Sequence, residues 1–390
     1  MPVPDQHDFA TNDFAGVALH RSLALLRAQG PVMPARFGGR PAVLISSHRA
    51  LAEAFRDNER FPPAEAYRIT IEPVQGVTFQ TMEGEQHRLY RRLATPAFQS
   101  RAVEAMEQEG LAQIAHELID RLGTQRSADF ASAFTHRVAF AVISRMLGIP
   151  GDREDQFRDW AVGFLEFPRD PVRSRHCAEQ ITRYLLPILA ERRREPRDDI
   201  LSGLVLAEVD DRQLTDEEIL AHIRLLFSAG ASTTTDALGN LVYTLLAQPE
   251  RWQAVLAQPQ LRANAIEELL RFETPVAVLP RLSAAQAVEF HGMRIPASTF
   301  CLFAIAAANR DPTVFTQPDV FDMHRDSSKK LLSFGPGPRL CPGMHLARRQ
   351  LAVALDVVLE RLPGLSLRDP EAAVPRGAIL RGPATLPVSW

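Results

Sequence analysis

The stretch from Thr215 to Ala247 constrains this chain more than any other. Thr215-Asp216-Glu217-Glu218 is a capping box, with a hydroxyl at the N-cap and a carboxylate three residues on. Apolar residues then recur at helical spacing until Gln248-Pro249 stops them. The spacing predicts a helix of about 32 residues, roughly 48 Å at 1.5 Å per residue. A helix that long crosses a whole domain, so the rest of the chain must wrap around it. Its middle, Ala229-Gly230-Ala231-Ser232-Thr233-Thr234-Thr235-Asp236, is made of poor helix formers. Serine and threonine there can bond back to carbonyls one turn earlier and bend the axis. Such a patch serves either close packing against another helix or a site.

The remaining pattern is mainly α with a small β region. Helical spacing covers Val17–Ala28, His48–Asn58, Ala102–Leu122, Phe130–Leu147, Asp152–Glu166, Ser174–Arg193 and Met344–Leu362. Val32–Arg36 and Pro41–Ser46 read as a hairpin around Phe37–Arg40, and Val288–Ile295 as another around His291-Gly292. Leu365–Leu367, Ala378–Arg381 and Leu386–Val388 read as short closing strands, and Phe61–Gln80 as a long loop. With 46% hydrophobic and 23% charged residues, 390 residues can bury a large core, and by length alone they could form two domains. A net charge of −3 carries no nucleic-acid footprint. Three scattered cysteines make no disulfide framework and favour a reducing compartment. The N-terminus lacks the pattern of a signal peptide, and the longest clean apolar run, Phe300–Ala308, is far too short to span a membrane. The expectation is a soluble, cytoplasmic protein.

Chemistry concentrates in Ser333-Phe334-Gly335-Pro336-Gly337-Pro338-Arg339-Leu340-Cys341-Pro342-Gly343, which leads into Met344-His345-Leu346-Ala347-Arg348. Pro342 sits where a first helical residue would be. Cys341 is then expected at a helix N-terminus, where a thiolate is stabilised as a metal ligand or nucleophile. The other reading is an inert buried cysteine. Gly335, Gly337 and Gly343 let the backbone approach something flat and large, and Arg339 offers a planar fork for a carboxylate. His87 and Arg91 lie four apart, on one helix face. Glu268 and Arg271 lie three apart and can pair across one turn.

Taken in order, these segments resemble the cytochrome P-450 family of haem–thiolate monooxygenases, and the resemblance covers essentially the whole chain, which implies a single haem domain over 1–390. It rests on His87-x-x-x-Arg91, Ala229-Gly230-x-x-Thr233-Thr234, Glu268-x-x-Arg271, Arg281, and the loop Phe334-Gly335-x-Gly337-x-Arg339-x-Cys341-x-Gly343. The resemblance implies haem b with Cys341 as the proximal thiolate to iron. His87, Arg91, Arg281 and Arg339 are then the partners of the haem propionates. Thr233 falls on the threonine that steers protons to dioxygen, and Ala229-Gly230 on the groove where dioxygen sits. One departure stands out: the motif's acidic position is Ser232. Asp236, one turn on, faces roughly the same way.

The family's bacterial members imply oxygen-dependent monooxygenation, most simply hydroxylation, of a small hydrophobic substrate by a monomer. Electrons come from an acidic ferredoxin and its reductase, so NAD(P)H acts only indirectly. By position, substrate contacts fall on Phe61–Gln80, Phe164–Phe167, Leu226–Thr233, Val276–Leu279 and around Ile379, with Tyr67 and Arg68 as polar residues among them. A peroxide-driven peroxygenase and a non-catalytic haem sensor of gas or redox state are the alternatives.

Overall fold

The computed structural model describes residues 8–99, 103–104, 110–151, 153–164, 167, 170–209 and 211–390. Helix α1 (Ala18–Gln29) buries Leu19, Leu23 and Leu26, one stripe at helical spacing. Strands β1 (Val32–Phe37) and β2 (Arg40–Ile45) pair antiparallel with Phe37 opposite Arg40. Gly38 and Gly39 connect them at φ 58° and 75°, the left-handed backbone that a two-residue hairpin turn requires. Helix α2 (His48–Ala54) starts on Ser47, whose side chain accepts from Ala50 N–H.

The expected long loop 61–80 is instead largely helical: α3 (Pro63–Thr70) and the single turn α4 (Glu72–Gln75). Prolines that read as breakers sit in the first turns, where a missing N–H costs nothing. Next come α5 (Gly84–Ala94), α6 (Ala112–Asp120), β3 (Ser127–Asp129) and α7 (His136–Leu147). Of the helix expected over 102–122, residues 102 and 105–109 lie outside the described residues. Helix α8 (Glu154–Phe164) precedes α9 (Pro171–Arg194) and α10 (Ile200–Leu206), whose N-caps are Asp170 and Asp199. A small hairpin, β4 (Glu208–Val209) and β5 (Arg212–Gln213), leads into α11 (Asp216–Leu246).

Helix α11 is the expected long helix, and its capping box is formed in both directions. It runs unbroken through the weak patch. Ile219, Ile223, Phe227, Leu238, Leu241 and Leu245 are buried along it. A Cβ on Gly230 would stand 2.9 Å from Ile143 Cδ1, so this glycine is what lets α7 lie close against α11.

Helices α12 (Pro249–Ala257) and α13 (Leu261–Phe272) follow. Strands β6 (Leu279–Leu282), β7 (Val288–Phe290), β8 (Met293–Ile295) and β9 (Phe300–Phe303) come next. The short helix α14 (Ile305–Ala308) and then α15 (Met344–Arg361) flank an irregular stretch, and β10 (Ser366–Leu367) and β11 (Pro387–Ser389) close the chain. One sheet has the order β1-β2-β9-β6, with β2 and β9 parallel; another has the order β10-β11-β3. The expected strand 378–381 is reduced to isolated bridges, Val276 with Leu380 and Arg376 with Gly382. No described helix is long and apolar enough to cross a membrane.

Candidate active site

The Glu268–Arg271 pair is completely buried, with Arg271 donating to both carboxylate oxygens at 2.7 and 2.8 Å. A buried charge is costly unless every lone pair and proton finds a partner. Here they do. Glu268 also receives Ser327 Oγ at 2.6 Å, Asp322 N–H at 3.0 Å and Arg325 Nε at 3.1 Å. Arg271 donates onward to the carbonyls of Asn309, Pro318 and Val320. The pair therefore staples the irregular 309–327 stretch to α13. Asn309 passes the order on, binding Ser333 Oγ through Nδ2 and Leu332 N–H through Oδ1.

That scaffold holds the cysteine loop. Cys341 N–H closes it on Phe334 C=O at 2.9 Å. Gly335 and Gly337 have φ 65° and 119°, and a Cβ on Gly337 would stand 2.7 Å from the Phe55 carbonyl oxygen. These two glycines let the loop pass the end of α2. Gly343 has an ordinary φ of −83° and is the N-cap of α15, so Pro342 lies before the helix and not at its first residue. Burial pushes the Cys341 thiol above its ordinary value, against the Gly343 N–H and the Arg91 and Arg348 charges. The helix start does not make a thiolate by itself; a bound metal ion would. Arg348 lies over the Phe334 ring at 4.5 Å and pairs with Glu267.

Beside the loop is a cluster of cations. Arg91 Nη2 donates to Leu340 C=O, tying α5 to the residue before Cys341. Arg339 donates through Nη1 to Phe79 C=O at 2.9 Å and through Nη2 to Met82 C=O at 2.6 Å. Arg281 lies 5.0 Å over the Tyr67 ring and donates to Pro280 C=O. Burial lowers the Arg339 guanidinium to about 10, helped by the Arg281 and Arg91 charges. The hydrogen bonds of the three arginines run to carbonyls and to His87, not to carboxylates.

His87 is nine-tenths buried, and burial lowers it to about 4, so its ring is neutral. Its Nδ1 lies 2.7 Å from Arg339 Nη1, which has only protons to give. Nδ1 lies equally close, at 2.7 Å, to the Phe79 carbonyl oxygen, which can only accept, so these two neighbours call for opposite tautomers. The other ring nitrogen, Nε2, is buried with no partner. A buried orphan ring nitrogen among uncompensated cations fits a carboxylate-bearing group, which is what a haem propionate is. Together with His87, Arg88, Arg91, Arg92 and Arg339 line a cleft of about 430 Å³.

The patch on α11 forms a separate wall. Thr233 Oγ1 donates to Ala229 C=O at 2.9 Å and Ser232 Oγ to Ser228 C=O at 2.8 Å. Asp236 packs against Gly382, where a Cβ would collide with its carboxylate, and burial pushes the carboxyl up to about 7. At 100° per residue, Ala229, Ser232, Thr233, Asp236 and Asn240 share one face. Asn240 is fully buried and donates to Glu273 C=O and Arg381 C=O, leaving Oδ1 without a partner.

Two of the expected substrate segments meet, since Val278 N–H donates to Ala378 C=O and Val276 bridges Leu380, beside Ile379. Phe164 is packed into the core, and residues 165 and 166 lie outside the described residues. Arg68 pairs with Glu65 at the surface, whereas Tyr67 stacks under Arg281. Sequence reasoning missed His222, fully buried in α11; a histidine inside the apolar run Ile219–Phe227 was the available signal.

Comparison with known proteins agrees with this geometry. The family model described as Cytochrome P450 matches residues 15–166 and 162–383. Nocardicin C N-oxygenase of Nocardia uniformis subsp. tsuyamanensis is 34% identical, with all of both chains covered. 6-Deoxyerythronolide B hydroxylase of Saccharopolyspora erythraea is 33% identical over 97% of each chain. The solved structure of cytochrome P450 CYP109Q5 from Chondromyces apiculatus matches with a TM-score of 0.85 at 31% identity, covering 95% of each chain. A buried E-x-x-R staple, a cysteine loop beside an unpaired buried histidine nitrogen, and these matches make one conclusion: the chain belongs to the cytochrome P450 family, monooxygenases that carry haem b on a cysteine thiolate and use dioxygen.

Proposed function

We propose that this monooxygenase hydroxylates a small hydrophobic substrate with electrons from a separate ferredoxin and its reductase, in the cytoplasm. The observation that carries the site assignment is the buried, unpartnered Nε2 of His87 beside Arg91, Arg281 and Arg339. His87 and these arginines would hold the haem propionates, and Cys341 the iron. Haem on a thiolate supplies dioxygen activation, because thiolate donation favours O–O cleavage. The chain contributes orientation, exclusion of water and a proton supply. Val276–Leu279, the turn near Ile379 and the α11 face from Leu226 to Thr233 supply an apolar lining.

On that face Thr233 is the hydroxyl that presents a proton, and Asp236 takes the place of the acid that Ser232 lacks. Burial favours the protonated form of Asp236, and Asn240 Oδ1, one turn on, is a buried acceptor without a partner. This supports Asp236 as a protonated carboxyl on the oxygen side.

For the electron donor, Arg88 and Arg92 are the exposed cations of the cleft. Arg348 and Arg349 do not add to them, since Arg348 is paired with Glu267 and Arg349 has a partner. Arg101 lies outside the described residues. An acidic ferredoxin is the complementary partner for the two that remain.

The test is the reduced carbon monoxide complex of the purified protein, which should carry the red-shifted Soret band of thiolate ligation. Cys341→Ser should abolish it, and retention of the band would overturn the ligand assignment. Turnover with ferredoxin, reductase and dioxygen, but not with hydrogen peroxide alone, distinguishes the proposed reaction from a peroxygenase. Haem binding without turnover under either condition would leave a sensor.

A further inference from the structure

The overlooked histidine is held on every side. His222 Nδ1 lies 2.7 Å from Glu218 C=O, to which it can only donate, and Nε2 accepts the Phe79 N–H at 3.2 Å. Its neighbours thus fix one tautomer, the neutral ring with its proton on Nδ1, and burial opposes charging it. Tyr90 stacks on the ring with centroids 5.5 Å apart, and Tyr90 Oη donates to the Glu218 carboxylate at 2.6 Å. Phe79 is wedged between two imidazoles, its ring 5.8 Å from His222 and 6.1 Å from His87. Residue 79 therefore has its N–H anchored on α11 while its carbonyl receives Arg339 Nη1 and stands 2.7 Å from His87 Nδ1.

We propose that His222 is a positioning residue for the haem-carboxylate end: by holding Phe79 it sets the place of His87. The proposal rests on the reading that His87 faces a propionate. With Phe79 held, its carbonyl stands against both Arg339 Nη1 and His87 Nδ1. With Phe79 released, that carbonyl is free to turn and the His87 ring loses its fixed partner. A side chain on α11, 143 residues away in sequence from the residue it grips, thereby holds the His87 ring toward the anion. The Arg224 guanidinium supports the same turn from α11, donating to Gln75 C=O at 3.0 Å.

The first test needs no substitution to be informative. In the haem-loaded ferrous carbon monoxide form, which is diamagnetic, nitrogen NMR of labelled histidine reads each tautomer. His222 should carry its proton on Nδ1, with His222→Phe used only to assign its signal. A proton on His222 Nε2, which would leave the Phe79 N–H without its acceptor, would overturn the proposal.

The second test is the rate of haem loss to excess apomyoglobin. His222→Phe keeps the stacked ring and removes both hydrogen bonds; loss should be about fivefold faster, the size of one ordinary hydrogen bond. His222→Gln, which can accept the Phe79 N–H again, should return the rate close to that of the natural protein. In a His87→Ala background, His222→Phe should change nothing, because the two act as one unit. Equal acceleration in both backgrounds would make His222 a packing residue only. If His87→Ala by itself leaves haem loss unchanged, the propionate reading fails first; if His87→Ala accelerates loss and the two effects add, only the His222 proposal falls.

Discussion

Glu268 and Arg271 on α13, and Ser232, Thr233 and Asp236 on α11, are polar groups inside the same fold that are treated in opposite ways. The α13 pair is saturated: the carboxylate takes Arg271, Arg325, Ser327 and the Asp322 N–H, and the guanidinium reaches three further carbonyls. On α11 the two hydroxyls find only carbonyls of their own helix, and burial is the sole influence on Asp236. Saturation makes a group a structural fixture, because any displacement strands a buried charge. Spare bonding capacity makes a group available, because a proton can arrive or leave without breaking the fold. The same contrast separates Arg271 from His87, whose buried Nε2 has no partner.

The contrast breaks most visibly at its rigid end. Glu268→Ala strands Arg271 and Arg325, and leaving a buried charge unpaired costs about 3–5 kcal/mol. The denaturation midpoint should fall accordingly, and the protein should lose haem as the 309–327 stretch and then the cysteine loop come free. A loss under about 1 kcal/mol, the range of exposed pairs, would mean the staple is not a fixture.

At the available end the sign reverses. Asp236 titrates near 7 in the folded chain, raised from 3.8. Between those values the folded state holds a proton that the unfolded state has lost, so stability falls as pH rises through the window and levels off above it. Asp236→Asn cannot titrate. Its advantage in melting should be near zero below pH 4 and grow to about 2 kcal/mol by pH 8, roughly half of 1.36 kcal/mol per unit because the side chain keeps some exposure. An advantage that is constant across this range would show that Asp236 is already charged in the folded state and holds no proton to give.

What was legible in the sequence follows the same division. The capping box, both hairpins and the i, i+3 pair Glu268–Arg271 are local patterns, and each forms where its spacing put it. Helices α3 and α4 were hidden because proline at a helix start looks like proline in a loop. Gly230 looked like part of a site; its Cβ direction meets Ile143, which no local pattern reports. His87 meets Arg339, 252 residues away, and the use of His222 depends on Phe79, so neither is written in any single stretch. Sequence spacing identifies residue types suited to a chemistry. Burial and long-range partners decide which of them retain a free proton.

Thr233→Ala sharpens the comparison further, since here function and stability should part. Alanine is the better helix former, so the variant should be at least as stable, by a few tenths of a kcal/mol. Product formed per reductant consumed should nevertheless fall about tenfold, with hydrogen peroxide released in its place, a change of about 1.4 kcal/mol in partitioning. Unchanged coupling would remove Thr233 from the proton route and leave it to Asp236.

The smallest expected effect lies at Cys341, where the two treatments meet on one atom. The sulfur has one donor in the Gly343 N–H, yet burial still holds its proton on. Residue 342 is the other nearby source of an amide, and proline has none to give. Because Gly343, not Pro342, caps α15, replacing Pro342 removes no helix-starting residue. Pro342→Leu restores an N–H beside the sulfur and keeps an apolar side chain. Hydrogen bonds to a ligating sulfur draw off charge and raise the reduction potential of the metal it holds. A new bond worth at most about 1 kcal/mol should raise the haem potential by a few tens of millivolts, with the thiolate carbon monoxide band retained. A potential that stays or falls, with that band intact, would mean the sulfur is already as saturated as Glu268, and that Pro342 only shapes the turn before the helix.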